Sequence, residues 1–173
     1  MDAHAWFVVV RLVHVVCGAF WLGAAALLAI FLIPAVRATG PSGGAVMQQL
    51  TQVRRMPTVI LWISWIALLS GAYLYWHASG GLQPVWMRSR AGMSFGGAGL
   101  LALVAALIGM LVSAPTASRM SALGAAVQQR GGPPTPEEGA RLQALQVRML
   151  LAAQGIALLL LVTIGFMAVA NYI

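Results

Sequence analysis

Long apolar runs alternate with short polar ones along this chain, and the arginines sit in the polar ones. Between Arg11 and Arg37 lie 25 residues without an Asp, Glu, Lys or Arg; the corresponding runs are 32 residues between Arg55 and Arg88, 28 between Arg90 and Arg119, and 25 after Arg148. A bilayer core about 30 Å thick needs about 20 helical residues, so each run is long enough to cross once. The pattern predicts an all-α integral membrane protein. Its expected form is an up-down four-helix bundle, with spans at about 8–34, 57–78, 93–114 and 149–171.

Two polar connections carry patterns of their own. Over residues 44–55, Val46, Met47, Leu50 and Val53 fall on one helical face, which suits a helix lying in the membrane interface; the alternative is a cytoplasmic turn with no lipid role. After Pro115, the residues Met120, Leu123 and Val127 repeat at helical spacing, and Arg130-Gly-Gly-Pro-Pro-Thr-Pro then breaks the helix. Thr135 reads as an N-cap, with Pro136 at the first helical position and Glu138 three residues after the cap. Leu142, Leu145 and Met149 continue a stripe into the fourth span. Residues 116–148 are therefore expected to form a helical hairpin standing out of the membrane, about 20 Å long. No internal repeat is evident.

Composition agrees with the pattern. The 173 residues are 61% hydrophobic and 8% charged, with a mean hydropathy of +0.89. Soluble domains carry about 25% charged residues, so an ordinary soluble domain is excluded. The length suits one domain. The start, Met-Asp-Ala-His, lacks the basic region of a signal peptide, and the first span is expected to be retained. All ten basic residues are arginine, and the net charge of +7 reads as topology rather than nucleic-acid binding. Seven of them (Arg37, Arg54, Arg55, Arg119, Arg130, Arg141 and Arg148) fall in the first and third connections, which the positive-inside rule puts in the cytoplasm. Both termini then face outward, and Trp6, Tyr73, Tyr75, Trp76, Trp86 and Tyr172 gather at the outer interface. Cys17 is the sole cysteine, so no intrachain disulfide forms.

His14 is the first candidate for chemistry, because an ionisable side chain inside a span is expensive. Arg11, His14, Gly18 and Trp21 share a helix face at spacings of three and four. An imidazole nitrogen binds haem iron or copper, and Gly18 removes bulk where a flat macrocycle could lie. The alternative is a neutral histidine bonded to a neighbouring helix. Arg11 has two readings, a partner for a haem propionate or a side chain snorkelling to headgroups. His77, at the end of the second span, is either a second ligand on the outer side or a solvated interfacial histidine. Cys17 with His14, aided by Met87 or Met93, would make a soft copper(I) environment. Gly92, Gly96, Gly97 and Gly99 open the third span to close helix contact. No carboxylate lies inside a span, and no phosphate-binding loop or His-Glu-x-x-His sequence is present, so the parts of several enzyme classes are missing.

The segment Arg11-Leu-Val-His-Val-Val-Cys-Gly-Ala-Phe-Trp-Leu-Gly, followed by Pro34-Ala-Val-Arg, resembles the opening of the copper-resistance D (CopD) type membrane proteins and, more distantly, the HemJ-type haem-pathway proteins. The resemblance covers about 30 residues well and rests on His14, Trp21, Gly23 and Pro34. HemJ-type proteins depend on a lysine, and this chain has none. The resemblance implies a bacterial inner-membrane protein that handles haem or copper. Taken together, these readings point to a non-catalytic membrane redox or metal-handling protein with haem b, rather than copper, at His14. The competing expectation is a cofactor-free accessory subunit of a larger respiratory or photosynthetic complex, packed through the third span. Lipid, other membrane subunits or a second copy are the expected partners. For soluble or lipid partners, the positively biased outer faces of the hairpin are the expected docking surface.

Overall fold

The computed structural model describes residues 2–39 and 41–172, which are helical almost throughout and contain no strand. The helices in chain order are α1 (Ala3–Leu27), α2 (Ile33–Ala38), α3 (Pro41–Gln48), α4 (Met56–Ala78), α5 (Pro84–Met87), α6 (Arg90–Ile108), α7 (Ala114–Arg130) and α8 (Pro136–Val169). Short π-helical turns join α1 to α2 at Leu28–Leu32, extend α3 at Gln49–Val53, and join α6 to α7 at Gly109–Ser113. The result is four rods: His4–Ala38, Met56–Ala78, Arg90–Arg130 and Pro136–Val169. Each is long and apolar enough to cross a membrane.

Two of the π turns have a cause in the sequence. Proline lacks a backbone N–H, and its ring clashes with the carbonyl four residues back. A π turn lets the helix continue by lengthening one ring of the ladder. Pro34 follows the first residue of its π turn, Leu28, by six residues, and Pro115 follows Gly109 by the same six. In both, the residue before the proline donates to the carbonyl five back, Ile33 to Leu28 and Ala114 to Gly109. The first and third rods thus share a backbone device that a residue-by-residue search for repeats does not reveal.

The third π turn changes the expected interfacial stripe. Met47 packs on the core; the extra residue of the turn shifts the helical phase beyond it, and Val53 is exposed. Val46, ahead of the turn and one step round the helix from Met47, is exposed as well. Arg55 then adopts a left-handed conformation, φ 50°, that turns the chain into α4. Gln52 hydrogen-bonds through its amide to Ser121 of α7, which ties the first connection to the third.

All four rods share one core: Trp21 and Ala25 from α1, Ala67 from α4, Ala102, Ala105 and Ala106 from α6, Ile156 and Leu160 from α8. A second cluster, Ala29, Ile33 and Ala153, lies toward the arginine-rich end. The most extensive helix contacts are α1 with α4 and α6 with α8. Large apolar side chains on every rod face outward, among them Leu12, Leu69, Leu100 and Leu158. In lipid such exposure carries no penalty, because acyl tails are as apolar as leucine.

Beyond the apolar segments, α7 and the start of α8 pack side by side. The turn between them begins at Gly131, whose φ of 71° closes α7 in the left-handed conformation. Thr135 and Glu138 form a reciprocal capping box at the start of α8. Glu138 also takes both guanidinium nitrogens of Arg130 at 2.7 Å. That bidentate ion pair, together with the Thr135 backbone N–H, holds the Glu138 carboxyl down at about 2 and raises Arg130 above its ordinary value. Arg130 is therefore half of an ion pair rather than part of a free positive face.

Candidate functional site

α1 and α4 meet at His14. The imidazole Nδ1 lies 2.8 Å from the backbone carbonyl of Ala67. A carbonyl only accepts, so Nδ1 carries the hydrogen and Nε2 of the neutral ring keeps its lone pair. Ser70 Oγ sits 3.3 Å from the same Nδ1 and gives its own hydrogen to the Ile66 carbonyl at 2.6 Å. It is thus a second acceptor for the same N–H. Interhelical hydrogen bonds of this kind contribute about 0.6 kcal/mol on average within a membrane.

The close approach depends on Gly71. A Cβ at that position would fall 2.8 Å from His14 Cε1 and 3.2 Å from Nδ1, inside the contact limit. Ala67, Ser70 and Gly71 are the site residues that sequence reasoning missed. Their signal was the Ser-Gly step interrupting a bulky apolar run in the second span, but it does not name His14, 56 residues from Ser70.

The other candidates are placed as follows. Arg11 is exposed one turn toward the N-terminus, with no carboxylate partner among the described residues. Gly18, one turn the other way, has no atom within 4 Å of a notional Cβ, so the helix face there is open. Cys17 is half-buried and packs against the shared core with Trp21 and Ala67. His77 is not brought to His14. It stacks on Phe7, ring centroids 4.7 Å apart, and lies 6.3 Å from Tyr73. Seven residues separate Ser70 from His77, about 10 Å along the helix. Among the described residues no three His, Cys, Asp or Glu side chains converge.

The glycines of the third span divide. Gly92 abuts the backbone of Trp86 in α5, and Gly96 faces Tyr75 of α4. Gly97 and Gly99 face open space. Close contact between α6 and α8 is made instead by alanines, Ala98 and Ala105 being fully buried, with hydroxyls alongside. Ser94 Oγ donates to the Phe166 carbonyl at 2.9 Å, and Thr163 Oγ1 lies 3.4 Å from the Ala98 carbonyl.

At this site the arrangement offers one histidine, held from behind through Nδ1, with a free Nε2 and open helix surface on the Gly18 side. A single nitrogen donor suits an axial ligand better than a closed metal cage, which needs several converging donors. No protein-family model matches the chain, and no curated protein or solved structure matches it either.

Proposed function

We propose that this is a multi-pass bacterial inner-membrane protein, an up-down four-helix bundle, that holds a b-type haem near the outer face through His14. The carrying observation is the His14 Nδ1 hydrogen bond to the Ala67 carbonyl. A backbone acceptor on one ring nitrogen fixes the tautomer that leaves the other free as a ligand, which is the usual support of a ligating histidine. Arg11 one turn outward supplies a cation for a propionate, and the open Gly18 face leaves room for a ring. Bound there, haem would supply one-electron transfer. The role is membrane redox or haem handling without catalysis. Copper is the weaker occupant, because Cys17 packs into the core.

The arginine asymmetry supports the orientation. Arg37, Arg54, Arg55, Arg119, Arg141 and Arg148 belong to connections that the Gln52–Ser121 contact brings together, and the positive-inside rule assigns that end to the cytoplasm and both termini to the periplasm. An absorption spectrum of the purified protein, with metal analysis, tests the cofactor. A Soret band lost in His14→Ala and kept in His77→Ala is expected; colourless, metal-free protein overturns the reading.

A second reading is a cofactor-free accessory subunit, favoured by the open Gly97 and Gly99 surface on α6 with Leu100, Leu103 and Val104 exposed beside it. Small residues on an exposed span let another helix approach closely. Co-purification of other membrane subunits that Gly97→Leu disrupts would favour it.

A further inference from the structure

Toward the Arg54 end from the His14 contact, the first rod, α4 and the first connection border a groove of about 550 Å³. The groove runs from Phe20 and Gly23 down the first rod to Leu32, is walled by Val59 on α4, and ends at Leu50 and Arg54 in the first connection. Phe20 to Leu32 is 12 residues, about 18 Å of helix. One leaflet of hydrocarbon is about 15 Å deep, half of a bilayer core. Every lining residue is apolar except Arg54, which stands at the polar end. A slot one leaflet long, greasy along its length and cationic at its mouth, has the chemistry of a single acyl chain beneath a phosphate.

We propose that this groove holds one anionic phospholipid of the Arg54-side leaflet, with an acyl chain between α1 and α4 and the headgroup phosphate on Arg54. The only ion pair among the described residues is Arg130–Glu138, so Arg54 has no carboxylate of its own. A second copy does not supply one at that level. The chain has three acids, Asp2, Glu137 and Glu138. Asp2 is at the opposite end of α1, and Glu137 and Glu138 are at the hairpin tip. Gln52 marks the level of Arg54 against Ser121, and Ser121 is nine residues, about 14 Å, from Arg130 at that tip. The anion at this depth therefore comes from lipid, and basic clefts between spans on the cytoplasmic side are a known form of headgroup site. The site is distinct from His14, which is level with residues 67–71 of α4, whereas the groove meets α4 at residues 56–60.

Gly23 provides a way to close the groove without disturbing a contact, since no atom lies within 4 Å of a notional Cβ there. Delipidated protein in detergent is titrated with dioleoylphosphatidylglycerol or dioleoylphosphatidylcholine, and bound lipid is counted by native mass spectrometry. The wild-type chain is expected to retain one phosphatidylglycerol with about five-fold preference over phosphatidylcholine, the effect of one arginine at an anionic headgroup. Arg54→Gln removes the preference and keeps the residual binding. Gly23→Leu lowers retention of both lipids. Arg141→Gln, on the hairpin, changes neither. Equal retention of the two lipids by the wild type overturns the proposal, as does an unchanged preference in Arg54→Gln, whose exposed side chain is not needed for folding. A dimer that Gly23→Leu dissociates and phosphatidylglycerol does not would put a second copy in the groove and also overturn it.

Discussion

The two principal helix pairs solve the same packing problem with different residues. Between α6 and α8 the contact is built from alanines and hydroxyls: Ala98 and Ala105 are fully buried, and Ser94 and Thr163 reach backbone carbonyls of the neighbouring helix. Between α1 and α4 the contact includes an imidazole seated against Gly71, and an apolar groove lies toward the Arg54 end. Small side chains let two backbones close along their whole length, so nothing is left for a ligand. The α1–α4 contact is as extensive, but it carries a ring seated against a glycine at one level and borders an apolar groove at another. The histidine and the groove thus both lie on the α1–α4 side.

The largest effect should come from forcing the closed pair open. Ala105 is wholly enclosed by the shared core, and Ala105→Leu is expected to destabilise the protein by about 3 kcal/mol, the upper part of the overpacking range. Thermal unfolding in detergent reads this as a large drop in Tm, and an unchanged Tm would mean that α6 and α8 are not in close contact. Gly71→Ala strikes the other pair at its one tight point. It is expected to cost about 2 kcal/mol and to turn the His14 ring out of reach of Ala67. Histidine nitrogen shifts by NMR would report loss of the fixed Nδ1–H tautomer, and retention of that tautomer would show that the ring does not depend on the glycine. Thr163→Val removes a shared hydroxyl at nearly constant volume and should cost about 0.6 kcal/mol.

The smallest effect is confined to the far end of the α6–α8 side. The Glu138 carboxyl, held at about 2 in the folded hairpin, has an ordinary value near 4.3 when unfolded. A depressed carboxyl contributes stability that is present above about pH 4.3 and is lost as pH falls toward 2. Protection factors at the start of α8, with the intrinsic pH dependence of amide exchange divided out, should fall over that window while those of the membrane segments hold. Arg130→Gln, which brings the folded carboxyl closer to its unfolded value, should shrink the change. Protection factors that do not change between pH 5 and 2.5 would show that the ion pair contributes nothing to the tip.

Much of the fold was legible because its signals are local. Runs of 25 or more uncharged residues became the four rods, and Thr135, Pro136 and Glu138 formed the cap that their spacing implies. The candidate site was legible only in part. His14 stands out as an ionisable residue in an apolar run, but its partners at Ala67 and Ser70 lie more than 50 residues on, beyond the reach of helical periodicity. The Arg130–Glu138 pair spans eight residues across a break, so no i, i+4 rule finds it. Met47 and Val53 parted company because the π turn between them shifted the phase that the stripe assumed.

By itself the sequence determined that the chain is helical and apolar enough to cross a membrane four times, because length and hydropathy set that result residue by residue. It also determined where two helices change their winding, since Pro34 and Pro115 remove a donor and crowd a carbonyl wherever they sit. Only the tertiary structure decided that Gly71 seats the histidine, that alanines rather than glycines close the third rod onto the fourth, and that Arg54 stands at the end of an apolar groove. Each of these turns on distances of a few ångströms between helices, and side-chain contact of that kind arises only when separate segments pack together.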